Sequence, residues 1–150
     1  AKIAQPDVPV VGFAGDGAFG ISMNEMVSVG RSEWPAITMV IFRNYQWGAE
    51  KRNTTLWFDD NFVGTELDLG VTYAGIAKQC GLEGVQVDSM DALSEALDRA
   101  INAQMKDNKT TFIEVVLNQE LGEPFRRDAM KQPVQVAGID PSDFRPQQSA

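Results

Sequence analysis

Two continuous apolar stretches near the start of the chain, Val8 to Ala14 and Ala36 to Arg43, set its organisation. Neither alternates polar with apolar positions. Runs of that kind suit strands buried on both faces of a parallel sheet. The interval between them holds one helix, predicted over about Met23–Val29. Ser22 and Glu25 have the Ser-x-x-Glu spacing of a capping box there, so Glu25 reads as a structural cap, and Gly30 fits the stop. Trp34-Pro35 leads into the second strand.

Further along, Val71–Cys80 reads as a helix stopped by Gly81, and Gly84–Val87 as a short strand. Leu93, Ala96, Leu97, Ala100 and Ile101 recur at helical spacing, which makes Asp91–Met105 the clearest helix of the chain. Asp88 or Ser89 can cap its start and Asn108 its end. Thr111–Leu117 reads as another strand. Between Asn44 and Asp68 no clear period exists, although a short helix around Ala49–Thr54 is compatible with the residues. Trp57 and Phe58 read as packing on the core. A connection this long is usually functional. The order is β-α-β-loop-α-β-α-β. It predicts an α/β fold over residues 1–120, a doubly wound, mostly parallel sheet with helices on both faces. Residues 121–150 lack periodicity, carry Pro124, Pro133, Pro141 and Pro146, and are expected to form an extended tail.

Composition narrows the chemistry. The 150 residues suffice for one domain with a real core. No apolar run approaches the roughly 18 residues of a membrane span, and no signal peptide is visible. The single cysteine, Cys80, cannot close an internal disulfide, which fits a reducing, cytoplasmic setting. It reads as a small core residue near a helix end. A net charge of −8 argues against nucleic acid as a partner. An anionic ligand must instead be met locally, by a metal or by clustered Arg and Lys. With no histidine in the chain, Ser-His-Asp, Cys-His and His-based zinc chemistry are excluded within it. Ala1 to Gln5 reads as the last turn of a helix broken at Pro6-Asp7, as expected of the C-terminal piece of a longer protein.

Against that background, Gly15-Asp16-Gly17 ends the first apolar run and Asn44 ends the second. A single crossover places the carboxyl ends of two parallel strands on one edge of the sheet, where ligands of open α/β sheets bind. Mg²⁺ commonly takes one or two carboxylates together with phosphate oxygens. Asp16 offers an anionic oxygen, Asn44 a neutral one, and the carbonyl of Gln46 a third. The glycines beside Asp16 allow a tight turn, and the N–H groups of Gly17, Ala18 and Phe19 can face an anion.

These residues resemble the Gly-Asp-Gly and Asn-Asn signature of thiamine-diphosphate-dependent enzymes, in their C-terminal, diphosphate-binding domain. Residues 18–43 separate Gly17 from Asn44; the last of them, Arg43, stands where the first Asn of the pair is found, and the metal-binding Asn is kept as Asn44. The resemblance implies Asp16, Asn44 and Gln46 as Mg²⁺ ligands. It also implies thiamine diphosphate against Gly15, Asp16, Gly17, Ala18, Phe19, Asn44, Gln46, Trp47 and Gly48. It places no catalytic side chain here: the activating glutamate and the residue that bends the cofactor fall outside the chain. The fragment alone is therefore expected to be inactive, with the missing N-terminal domains and a homodimer or homotetramer as partners.

A closer likeness runs through Phe42–Asn53, Leu56–Leu67 and Pro124–Lys131. It points to an acyltransferase branch that moves an acetyl group from a sulfonated aldehyde to phosphate. Lys51, Arg52, Arg126 and Arg127 are the candidate partners for such small anionic substrates. An acetolactate synthase- or decarboxylase-like enzyme, and a non-catalytic cofactor-binding module, are the alternatives. A nicotinamide site is disfavoured. Gly15 to Gly20 matches Gly-x-Gly-x-x-Gly, but no acidic residue ends the second strand.

Overall fold

A computed structural model of the chain describes residues 1–31, 33–67 and 70–119. They fall into two compact units, Ala1–Tyr45 with Asp68–Gln119, and Gln46–Leu67. The expected tail, with Arg126 and Arg127, lies outside the described residues.

The first unit follows the order β1 (Val11–Gly15), α1 (Asp16–Ile21), a 3₁₀ turn (Met23–Glu25), α2 (Met26–Val29) and β2 (Thr38–Arg43). After the second unit, whose helix is α3 (Gly48–Trp57), come α4 (Tyr73–Gln79), β3 (Glu83–Val87), α5 (Met90–Asp107) and β4 (Thr111–Val116). The four strands form one parallel sheet in the order β1-β2-β4-β3.

Apolar side chains cover both faces at the centre of this sheet, whereas β1, whose continuous run suggests burial on both faces, stands at the end of the strand order with Phe13 66% exposed. On one side Val40, Ile113, Val115 and Val87 pack with Ala96 and Ala100 of α5. On the other, Ile41 and Phe112 pack with Met26 of α2 and Tyr73 and Ala77 of α4. Each of the Val, Ile, Phe and Met side chains taken fully out of water contributes about 1.5–3 kcal/mol. Cys80 caps the end of α4 and packs against this second cluster, as a small core residue should. Gly84 of β3 has no room for a side chain, because a Cβ there would meet the Ala74 carbonyl oxygen at 2.1 Å.

Strand starts differ from the apolar runs for identifiable reasons. β1 begins at Val11 and not Val8. Pro9 has no N–H for a ladder, and the Val10 N–H is taken by Gln104 Oε1 at 2.8 Å, while the Val10 carbonyl accepts both Gln104 Nε2 at 2.8 Å and the Thr38 N–H of β2 at 3.0 Å. β2 begins at Thr38 and not Ala36. The Ala36 N–H donates to Asn108 Oδ1 at 2.9 Å and the Ile37 N–H to Thr110 Oγ1 at 3.1 Å. Helix α5 keeps both expected caps. Ser89 Oγ accepts the Ala92 N–H at 3.3 Å, and Asn108 ends the helix in the left-handed region at φ 50°.

The crossover between β1 and β2 is corrected more substantially. In place of one helix from Met23, α1 begins at Asp16 and stops at Ser22, and the chain then restarts as the 3₁₀ turn and α2. Ser22 makes no side-chain cap, so the Ser22–Glu25 capping box does not form. The cause is tertiary: the Phe19 ring packs edge-on against Tyr73 at 5.2 Å and beside Phe112 at 5.6 Å. That contact draws the glycine-rich turn into a helix.

In the second unit, Gln46 and Glu66 form an antiparallel bridge, and the Trp47 N–H donates to the Thr65 carbonyl at 2.7 Å. Helix α3 extends the expected Ala49–Thr54 in both directions. Phe58 is 37% exposed and does not pack into a core as expected; the side chain of Trp57 lies outside the described part.

Candidate functional site

The register of the first strand pair sets the site. Gly15 of β1 lies opposite Phe42 of β2. One step beyond this pair, Asp16 leaves β1, and two steps beyond it Asn44 leaves β2. Adjacent strands lie about 4.8 Å apart, so the carboxylate and the carboxamide stand on neighbouring strand ends at one edge. The crossover thus joins strands that are directly paired.

Asp16 is 2% exposed. Its carboxylate is held from two directions: Oδ1 accepts the Gly17 N–H at 2.9 Å, and Oδ2 accepts the Tyr45 N–H at 2.7 Å. Its main-chain carbonyl accepts the Tyr73 hydroxyl at 3.0 Å. The Gly17 amide, expected to face an anion, is thus turned toward its neighbour's carboxylate. Phe19 stands where the first intrahelical bond of α1 closes, while Ala18 is exposed.

Tyr45 reaches Asp16 from an uncommon backbone conformation, with φ at 60°. For a bulky side chain that region costs on the order of 1–3 kcal/mol and persists only where the surroundings enforce it. Those surroundings are charged. Arg43, at the end of β2, and Glu114, in β4, form an ion pair with side chains only 2% and 0% exposed. Arg43 Nε lies 3.2 Å from Glu114 Oε1, held by charge rather than by an aligned hydrogen bond. The other carboxylate oxygen, Oε2, accepts the Ala74 N–H at the start of α4 at 3.0 Å. The guanidinium carbon lies over the Tyr45 ring at 4.4 Å and over the Tyr73 ring at 4.7 Å. Burial pushes the Tyr73 hydroxyl above the usual tyrosine pKa, and the Arg43 guanidinium opposes that shift.

Glu114 and Tyr73 carry no signal in a motif search. Glu114 does break an otherwise apolar strand, and a charge buried in a sheet needs a partner; Arg43, equally out of place at the end of β2, is that partner. Of the remaining expected residues, Gln46, Trp47 and Gly48 belong to the second unit. There Gln46 is buried at 2% exposure. Lys51, an expected anion ligand, is ion-paired with Glu66, and its ammonium lies 5.2 Å from the Phe62 ring centre. Among the described residues no group of three His, Cys, Asp or Glu is arranged to hold a metal, and no helix is long and apolar enough to cross a membrane.

This parallel sheet, with an acid and an amide on adjacent strand ends, agrees with the family assignment: the chain belongs to the thiamine pyrophosphate enzymes, matching their C-terminal TPP binding domain over residues 1–115. It is 71% identical to sulfoacetaldehyde acetyltransferase of Roseovarius nubinhibens over 99% of its length, covering 24% of that protein. It is 70% identical to sulfoacetaldehyde acetyltransferase of Rhodobacter capsulatus over 98% of its length, covering 25% of that protein. The chain therefore spans about a quarter of the length of the curated relatives it matches. The crystal structure of benzoylformate decarboxylase from Polynucleobacter necessarius superposes with a TM-score of 0.68 at 24% identity, over 81% of this chain and 22% of that one, and shares the fold.

Proposed function

We propose that this chain holds the diphosphate end of thiamine diphosphate, through Mg²⁺, in an enzyme that converts sulfoacetaldehyde and phosphate to acetyl phosphate and sulfite. The observation that carries the cofactor reading is the in-register pairing of β1 with β2, which supports Asp16 and Asn44 acting on one ligand. The donor chemistry fits the ion. Mg²⁺ prefers hard oxygens and commonly uses one or two protein carboxylates beside phosphate oxygens. Asp16 is the carboxylate, Asn44 supplies an amide oxygen, and the carbonyl of Gln46, two residues further along the chain, is the third protein ligand. Gly15, Gly17, Ala18 and Phe19 are the backbone beside the diphosphate, with Trp47 and Gly48 following the metal ligands.

When bound, thiamine diphosphate supplies the nucleophilic carbon for the chemistry, and the protein binds and orients it. The acetyl-transfer reading draws on the names of the two acetyltransferase relatives. Atoms balance without a further reactant: the carbon–sulfur bond breaks, sulfite leaves, and a phosphate oxygen takes the acetyl group. An assembly of two or four copies, with domains beyond this chain, completes the proposal. Its test is the full-length protein with Mg²⁺ and thiamine diphosphate, offered sulfoacetaldehyde plus phosphate in one arm and pyruvate in the other. Acetyl phosphate and sulfite are expected in the first arm, with cofactor binding lost in Asp16→Ala. Acetolactate or acetaldehyde from pyruvate, with no sulfite from the first arm, would overturn the reaction.

A further inference from the structure

We propose that Arg43 is a positioning residue for the metal ligand Asp16, acting through the backbone of Tyr45; this rests on the magnesium reading above. Arg43 is the residue that departs from the family's Asn-Asn pattern, and no ligand role accounts for it. Its contacts form a circuit that begins and ends on Asp16. The Tyr73 hydroxyl holds the Asp16 main-chain carbonyl at 3.0 Å. The Tyr73 ring lies against the Arg43 guanidinium at 4.7 Å, and the guanidinium lies against the Tyr45 ring at 4.4 Å. The Tyr45 N–H returns to Asp16 Oδ2 at 2.7 Å. Glu114 fixes the guanidinium in this stack, and is itself fixed by the Ala74 N–H.

The strained link is Tyr45, at φ 60°. A tyrosine released from its stack relaxes toward negative φ, and where the chain on either side stays in place the compensating rotation of ψ at Asn44 tips the shared peptide plane, and with it the Tyr45 N–H, away from Asp16. The carboxylate then loses one of the donors that orient it. Groups that orient a metal ligand typically change metal affinity by about 10–100-fold. A cation–π stack on a desolvated guanidinium is the right kind of force to hold an aromatic residue in this conformation.

The experiment measures Mg²⁺ affinity of the full-length protein at saturating thiamine diphosphate, beside thermal unfolding of the cofactor-free form. Removing both charges at once, by Arg43→Met with Glu114→Gln, avoids an unpaired buried charge and keeps an acceptor for the Ala74 N–H. Mg²⁺ affinity is expected to fall about tenfold with little change in melting temperature. Adding Tyr45→Gly to that background is expected to restore most of the loss, because glycine adopts positive φ without a stack. In the otherwise unchanged protein, Tyr45→Ala is expected to weaken Mg²⁺ and Tyr45→Gly to do so much less, a comparison that stands even if the double variant does not fold. Unchanged Mg²⁺ affinity in the double variant, or equal losses for Tyr45→Ala and Tyr45→Gly, overturns the proposal and leaves the metal reading intact. A wild-type protein that binds thiamine diphosphate without Mg²⁺ removes the metal reading and this proposal with it.

Discussion

Under α5 the sheet buries Val40, Val87, Ile113 and Val115 against two alanines, and its buried amide, Gln104, is bonded to Val10 and Thr38. Under α4 the same sheet buries Arg43 against Glu114, beside Tyr73 and close to the buried Asp16. Apolar residues would serve stability as well on the second face, since replacing a buried ion pair by packed hydrophobic side chains is often neutral or stabilising. What distinguishes that face is position: Arg43 ends β2 and Glu114 lies two residues short of the end of β4, toward the edge where Asp16 follows β1. One face holds the domain together, and the other also fixes the geometry of its edge.

The contrast can be broken most strongly on the charged side. Arg43→Met alone leaves Glu114 buried without its cation, and a loss of about 3–5 kcal/mol is expected in urea unfolding of the full-length protein. A loss no larger than that of a surface substitution would show that the pair does not matter to the fold. On the apolar side, Ile113→Ala is expected to cost about 2–5 kcal/mol through lost packing and a cavity. Mg²⁺-dependent thiamine diphosphate affinity should survive this change under conditions where the protein is folded. If affinity falls as far as in the Arg43 and Glu114 double variant, the two faces are not functionally distinct. The smallest effect falls on the start of α5: Ser89→Ala removes the cap to the Ala92 N–H and should cost about 1 kcal/mol in thermal unfolding, again without touching affinity.

Much of the architecture was legible because continuous apolar runs and helical stripes leave a plain mark, even where, as at Phe13, a strand residue stays exposed. The apolar runs ending at Ala14 and Arg43 located β1 and β2, and the Leu93–Ile101 stripe located α5. Caps that work through a local side chain were legible too, as Ser89 and Asn108 show. Elements held by distant contacts were not. Gly15 and Gly17 read as a tight turn around Asp16, yet α1 is helical from Asp16, with Phe19 packed on Tyr73 and Phe112. Ser22 and Glu25 had capping spacing, but Ser22 fell at a break where no cap formed. At the site, Gly-Asp-Gly and Asn44 were visible as a pattern. Arg43 and Glu114 each mark an otherwise apolar strand with a charge, but their pairing across some 70 residues of sequence, and the left-handed Tyr45, have no local signature that propensity or spacing can detect.

Gln104 carries a consequence for how the sheet assembles. Its side-chain amide accepts the Val10 N–H and donates to the Val10 carbonyl, both at 2.8 Å, and so behaves as one rung of a neighbouring strand. The rung is supplied by a helix residue 94 positions later in the chain. The Val10 carbonyl is also bonded by the Thr38 N–H at 3.0 Å, but the Val10 N–H gains its partner only after nearly the whole domain has been threaded past it, a long loop closure that local structure cannot prepay. Protection of the Val10 amide from solvent exchange would report the docking of α5, the last helix before the final strand.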